Sequence, residues 1–437
     1  MAFVRRAPTT ASSLTQAVMG GRSLTTKTLE VVKATLPAVA EAGPAFTGHF
    51  YKRLFKAHPE LLNTFNVANQ RQGRQQKALF SAVAASAVNV LEHGRLPTEL
   101  LEGVHHKHCA LNVVPAQYDV VGEHILGTIT DMLNPGQEVL DAWAELYGAL
   151  ADRCVTREEE IYKEVESGPG GWRGTRKFTV AGKESKSRFV TEFVFSPVDG
   201  QPIATHSPGQ YTTIWVHPEG PNRQPRHYSL ISNPGDSTYR IAVKKESQGL
   251  VSIHLHDRVA VGDEVELSPP YGNFSLAGCE KLWTSDGDAP VVLLSAGVGI
   301  TPILGMLGTL KNGTTPQSRP VLWLHAAKNG REHSFRDYLV GLARAHPGDL
   351  TRRVWYEFPH ADDVKGMDNA APYHFEGLME LEPVKNMLPL DSSNAQYFFC
   401  GPVPWMQSIA KQLVELGVDK ASLHFEVYGP AEPVLPQ

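Results

Sequence analysis

At 437 residues the chain is too long for one ordinary core, and roughly 100–200 residues per domain suggests about three. A hydrophobic fraction of 42%, a charged fraction of 20% and a net charge of −5 fit a globular protein, and the scattered basic residues argue against nucleic-acid or anionic-membrane binding. No apolar run approaches a membrane span, and the cysteines, Cys109, Cys154, Cys279 and Cys400, match neither a zinc site nor a disulfide framework, which favours a reducing compartment.

Residues 1–27 carry Arg5, Arg6, Arg22 and Lys27, many Ser and Thr, and no acid before Glu30. That composition suits an organelle transit peptide, a disordered tail being the alternative, so the expected location is the mitochondrial matrix or the cytoplasm. Residues 28–168 read as helical. Apolar residues recur at helical spacing in Phe46–Phe55, Leu79–Leu91, Leu100–Leu111, Tyr118–Leu133 and Val139–Val155. Pro44, Pro59, Pro97, Pro115 and Pro135 fall where helices need to break. An all-α domain is expected here.

Gly168–Trp172 punctuates the chain, and the period then changes. Over 169–283, short β-rich runs closed by Gly, Pro or Asn predict an antiparallel barrel or sandwich. Over 284–437, PVVLLSA, VLWLHAA, RRVWYEF and YFFC alternate with helix-like segments. That alternation predicts a doubly wound parallel α/β sheet.

Cofactor phosphates need backbone N–H donors at a turn that opens a helix. Gly297-Val298-Gly299-Ile300-Thr301-Pro302 stands at such a turn, although Pro302 occupies the place of a third glycine. By itself it reads equally well as a structural turn. Cys400-Gly401-Pro402 marks a second strand-to-helix turn, where Cys400 is also readable as a plain buried thiol. Upstream, Arg226-His227-Tyr228-Ser229 places a guanidinium, aromatic rings and a hydroxyl on one short strand, a set that suits a flavin. Gln248-Gly249-Leu250-Val251-Ser252 then leads into a helix-like stretch.

Taken in chain order, Arg226–Ser229, Gln248–Ser252, Gly297–Pro302 and Cys400–Pro402, these four motifs resemble the ferredoxin-NADP reductase family, which joins an FAD-binding β-barrel to a nicotinamide-nucleotide domain. The resemblance implies that Tyr211, Arg226, His227, Tyr228 and Ser229 hold the flavin and that Gly249, Val251 and Ser252 cradle its phosphates. Gly297 to Pro302 and Cys400 to Pro402 would receive NADH or NADPH. Glu426 and Tyr428, in the closing HFEVYGP, would tune and cover the isoalloxazine, although close relatives usually carry Phe where Tyr428 stands.

In the helical domain, LPTELLEGVHHKHCALNV offers three imidazoles, His105, His106 and His108. Val104, His108 and Leu111 share a helix face, and His105 lies beside it, so spacing favours His108 as a metal ligand without excluding His105. The runs GPAFTGHFYKRLF, KHCALNVVPAQYDVVGEHIL and VLDAWAELYGAL, with the GGWRGTRKF junction, resemble the flavohaemoglobin family over nearly all of residues 28–437. Two departures are an apparent one-residue insertion near LEHGRLP and the N-terminal extension.

That resemblance implies haem b bound by His108, with Lys107 influencing redox coupling and Tyr118 and Glu158 completing a proximal network. Spacing alone leaves Glu158, Glu159 and Glu160 equivalent. On the distal side the resemblance selects Tyr51, Gln75, Leu79 and Phe65. The activity implied is a nitric oxide dioxygenase that binds oxygen, converts NO and O2 to nitrate, and detoxifies NO. Electrons would pass from NAD(P)H to FAD to haem. The expected protein is a monomer whose partners are small molecules, with no nucleic acid and no integral membrane segment.

Overall fold

The computed structural model describes residues 17–19, 22–65, 74–94, 98–218, 222–279, 282, 289–311, 319–429 and 433–436. For 17–19, 22, 23, 44, 74–82 and 98–100 it describes the backbone alone. Two compact units result. One comprises 1–62, 69–108 and 113–161, and the other 63–68, 109–112 and 162–437. Residues 1–16, on which most of the targeting expectation rests, lie outside the described residues.

The first unit opens on a two-stranded ribbon, β1 (Ala17–Met19) and β2 (Arg22–Leu24), and is otherwise helical. Its helices are α1 (Thr26–Ala57), α2 (Arg74–His93), α3 (Thr98–Ala110), α4 (Pro115–Leu133) and α5 (Gln137–Ser167). Thr25 caps α1 by accepting from Thr28 N at 3.1 Å, satisfying one orphan donor of the first turn. Gly43 interrupts α1 with φ 36°, a left-handed value that costs glycine little, next to the break expected at Pro44. Pro115 sits at the first position of α4, where its missing N–H costs nothing. The apolar stripes meet in a core that includes Phe46, Phe50, Leu54, Ile125, Ile129 and Trp143. Trp143 Nε1 also donates to Thr35 Oγ1 at 3.0 Å.

The second unit holds two six-stranded sheets. The antiparallel sheet contains β3 (Arg176–Ser185), β4 (Val190–Pro197), β5 (Tyr211–Val216), β6 (Gln224–Ser229), β7 (Tyr239–Lys244) and β8 (Glu264–Leu267). Its order is β6-β5-β8-β3-β4-β7. A bridge from Leu230 to Ile241 and the bond Ile231 N to Arg240 O, 2.8 Å, bring β6 onto β7 and close the barrel. Phe178, Phe193, Phe195, Ile214, Tyr239 and Ile241 fill it. Strand β3 alternates weakly because its second half is polar.

Helix α6 (Leu250–Asp257) follows β7. The parallel sheet then forms from β9 (Val291–Ala296), β10 (Val321–Ala327), β11 (Leu350–Tyr356), β12 (Phe375–Glu376), β13 (Gln396–Cys400) and β14 (Leu423–Glu426). The order is β12-β11-β10-β9-β13-β14, with every pairing parallel. Alternate residues of β9 face opposite layers. Val291 and Leu293 meet α7 (Ile300–Lys311) and α8 (Arg336–Ala345), whereas Val292 and Leu294 meet α9 (Val403–Glu415). Burial on both faces explains why these strands read as unbroken apolar runs.

A polar seam lies inside this layer. Trp323 Nε1 donates to Ser295 Oγ (3.1 Å), which pairs with His325 Nδ1 (2.8 Å), while His333 Nδ1 pairs with Tyr356 OH (2.9 Å). Burial depresses His325 to about 3 and His374 to about 4, so both stay neutral in the fold. Unfolded imidazoles titrate near 6.5, so below that pH the unfolded chain binds protons that the folded chain refuses. The stability these groups contribute is complete above about pH 6.5 and declines by up to about 1.4 kcal/mol per pH unit per group as pH falls toward their folded values. The melting temperature of the second unit is therefore expected to drop between pH 7.5 and pH 5. Calorimetry showing a flat or rising value would contradict this account.

Candidate functional site: proximal imidazole, flavin strand and nucleotide turns

Helix α3 sorts the three histidines. His105 is almost wholly buried, with Nδ1 3.5 Å from Glu102. His106 Nε2 lies 3.6 Å from the same carboxylate, which Arg157 also binds at 2.8 Å. His108 alone joins the predicted network. Its Nδ1 lies 2.8 Å from Glu158 Oε1 and 2.8 Å from Tyr118 OH. The phenol in turn donates to Glu158 at 2.5 Å. A carboxylate and a phenol on Nδ1 fix the proton there, leaving the Nε2 lone pair for a metal. That donor set fits a haem iron, and the carboxylate makes the ring a stronger electron donor.

Glu158 is buried, whereas Glu159 is half-buried and Glu160 is exposed and pairs with Arg157 at 3.0 Å. Packing thus separates three carboxylates that spacing left equal. Two supporting residues escaped the sequence reading. Tyr147 OH donates to the Tyr118 backbone carbonyl at 2.7 Å, holding the turn that carries the phenol. Cys154 contacts Tyr118, and burial pushes its thiol up to about 12. Both lie at helical spacing from Glu158 on α5, a signal visible once Glu158 is known to face inward. Burial likewise raises the Tyr118 pKa, with Cys154 and Glu158 adding to it, so the phenol keeps its proton.

Tyr51 is buried on α1 between Phe50, edge-on at 4.9 Å, and Phe55, stacked at 5.6 Å. Lys107 is half-buried beside His108, and Phe65 is half-buried in the turn after Asn63. The side chains of Gln75 and Leu79 lie outside the described residues.

In the barrel, strand alternation divides the flavin motif. Tyr211 pairs with Ser229, Thr212 with Tyr228, Thr213 with His227 and Ile214 with Arg226. Arg226 and Tyr228 therefore share one face, and His227 and Ser229 the other. Thr213 Oγ1 anchors His227 Nδ1 at 2.7 Å. Burial lowers the pKa of Arg226, whose Nη1 donates to the Pro225 carbonyl at 2.6 Å. The Tyr211 hydroxyl is buried without a hydrogen-bond partner among the described residues. A partly desolvated guanidinium and an unsatisfied phenol are costly alone and fit a bound pyrophosphate-containing flavin. Gly249 caps α6, Val251 is buried within it, and Ser252 Oγ accepts from Glu246 N at 3.1 Å.

The two nucleotide turns come together because β9 and β13 are neighbours. Gly297 to Gly299 form a tight turn, and Ile300, Thr301 and Pro302 open α7. A Cβ at Gly299 would fall 2.2 Å from Cys400 O, so only glycine permits this approach. Cys400 is buried, its thiol donating toward Glu426 O at 3.5 Å, and Pro402 caps α9 next to Gly401. Tyr428 is exposed, yet its hydroxyl pairs with Ser229 Oγ (3.0 Å) and Thr301 Oγ1 (2.8 Å). One phenol thereby links the flavin strand to the nucleotide turn.

Family models match in the same places: Globin over residues 48–154, oxidoreductase FAD-binding domain over 177–276 and oxidoreductase NAD-binding domain over 293–411. The chain is 42% identical over 415 residues to the flavohemoprotein of Rhizobium meliloti (strain 1021), covering 93% of this chain and 98% of that protein. It is similar to the crystal structure of a flavohemoglobin from Malassezia yamatoensis with bound FAD and haem, with a TM-score of 0.78 and 27% identity over 93% of this chain and all of that one. No helix among the described residues is long and apolar enough to cross a membrane. The chain belongs to the flavohaemoprotein family, oxidoreductases that join a globin to FAD- and NAD-binding domains.

Proposed function

We propose that the protein is a nitric oxide dioxygenase that converts NO and O2 to nitrate with electrons from NADH or NADPH, and so detoxifies NO. The carrying observation is the His108–Tyr118–Glu158 network in a chain that also holds flavin- and nucleotide-binding domains. When bound, haem supplies oxygen binding and one-electron redox, and FAD turns hydride into single electrons. The protein's part is positional. Glu158 and Tyr118 hold the His108 ring and keep its Nδ1 protonated, raising its donor strength. Such a strongly donating ligand suits oxygen activation better than reversible carriage. Tyr51 supplies a buried phenol on the side that the resemblance assigns to oxygen, where a donor favours developing negative charge. A carrier needs only slow repair of its iron, whereas a dioxygenase must be reduced each turnover, which gives a built-in reductase its purpose.

The reduced, oxygenated protein is expected to form nitrate stoichiometrically from added NO. No nitrate beyond the uncatalysed rate would sink the proposal. Glu158→Gln is expected to shift the haem potential positive and to lower NO consumption about 10–100-fold, while NADH oxidation by ferricyanide persists. Spectroelectrochemistry and an NO electrode read the two effects. The basic, Ser/Thr-rich N-terminal stretch supports an organelle address, with the cytoplasm as the alternative. Imaging a C-terminally tagged full chain separates the two.

A further inference from the structure

Among the four cysteines, Cys279 is set apart by its neighbours. It follows β8 in a turn where Gly278 N donates to Ser275 Oγ at 3.2 Å and Cys279 N to Leu276 O at 3.2 Å. That turn lies against the N-terminal ends of β13 and β14. The thiol donates to Gln396 Oε1 at 3.4 Å, and its sulfur is 3.7 Å from His424 Nε2.

The amide of Gln396 sets the protons of this trio. Its Nε2 donates to Asn394 O at 2.8 Å and to Ala395 O at 3.0 Å, which turns Oε1 toward Cys279 and His424. Oε1 lies 2.8 Å from His424 Nε2. A carbonyl oxygen can only accept, so the imidazole carries its proton on that nitrogen. Phe398 stacks on the ring at 4.5 Å and holds it there. A thiolate at Cys279 therefore meets an N–H donor, and hydrogen bonding to the charged form favours ionisation. Burial instead pushes the thiol of Cys154 up to about 12 and raises that of Cys400, and Cys109 is fully buried.

Cys279 is itself buried, so a reagent reaches it through a cavity. That cavity measures about 230 Å³ and is lined by Cys279, His424, Ser275, Asn273, Gly278 and Phe398, among others. Asn273 and Gly278 are exposed, so the space is reached from solvent. A hydroxyl, an amide and an imidazole on its wall suit a polar occupant. A single water takes about 30 Å³ of liquid, so the space holds a group of many atoms.

We propose that Cys279 is a thiol-modification site for small polar disulfides, and that the group it acquires lies in this cavity. The Cys279 thiolate attacks one sulfur of the disulfide. A new S–S bond forms, the old one breaks, and the other half leaves as a thiolate that takes up a proton equal to the one Cys279 lost. The Cys279 sulfur is oxidised and the leaving sulfur reduced, so no further oxidant is consumed. The proposal is independent of the nitric oxide reaction.

Glutathione disulfide is the probe. The full-length holoprotein, reduced beforehand and freed of reductant, is exposed to it, and the mixed disulfide is mapped by peptide mass spectrometry. Cys279 is expected to react about tenfold or more faster than Cys109, Cys154 and Cys400. His424→Gln is expected to slow the reaction about threefold, because a thiol one pKa unit weaker loses about tenfold in thiolate and regains about threefold in nucleophilicity. A fold merely loosened by this substitution would raise the rate instead. Cys279→Ser is expected to remove the fast reaction while NADH oxidation by ferricyanide continues at its normal rate. Modification first at another cysteine, or at none before the protein unfolds, overturns the site. An unchanged or faster reaction in His424→Gln overturns the part given to the imidazole.

Discussion

His108→Ala is expected to abolish nitric oxide consumption while leaving the reductase intact. The imidazole is the one histidine of α3 whose Nδ1 is held by Glu158 and Tyr118, so no neighbour can replace it. His105 is committed to the interior and His106 faces Glu102. Loss of outer-shell partners typically costs 10–100-fold, and loss of the ligand itself should cost roughly 100-fold or more. The Soret band should weaken or shift, and NADH oxidation by ferricyanide should continue at nearly the normal rate. Full NO consumption by this variant would instead identify the chain as a reductase acting without its haem.

Gly299→Ala should produce the opposite separation. The new Cβ would fall 2.2 Å from Cys400 O, 2.5 Å from its carbonyl carbon and 2.7 Å from Gly401 N. All three atoms are backbone, so the two nucleotide turns must part. A misplacement of about 1 Å can cost 100-fold in rate. NADH oxidation is expected to fall by about that factor, whereas haem content, dithionite reduction and oxygen binding stay normal. Stopped-flow reduction by NADH against dithionite reads the difference. Near-normal hydride transfer would show that the approach of the two turns is not needed.

The variants act in separate units, and the change of element type along the chain is legible in the sequence. Helical spacing in residues 28–168, short alternating runs after Trp172 and apolar strands after Asp288 each express a local period. The all-α, β-barrel and parallel α/β architecture follows from them. Strand β3 carries almost no such period, since only Phe178 and Val180 of its ten residues point into the core. The glycine turns were legible as well, because close backbone approach leaves a residue-type signature.

By itself the sequence determined the elements, their order and the kinds of group available: three imidazoles, three consecutive carboxylates, a flavin motif and two nucleotide turns. Tertiary structure decided which of those groups meet. Glu158 lies 50 residues from His108 and Tyr118 lies 40 from Glu158, separations that no local period spans. The same holds for Tyr428, 199 residues from Ser229 and 127 from Thr301. Periodicity fixes the direction of a side chain relative to its own helix or strand. Only packing brings two such elements together, and packing therefore selected which imidazole meets which carboxylate and phenol.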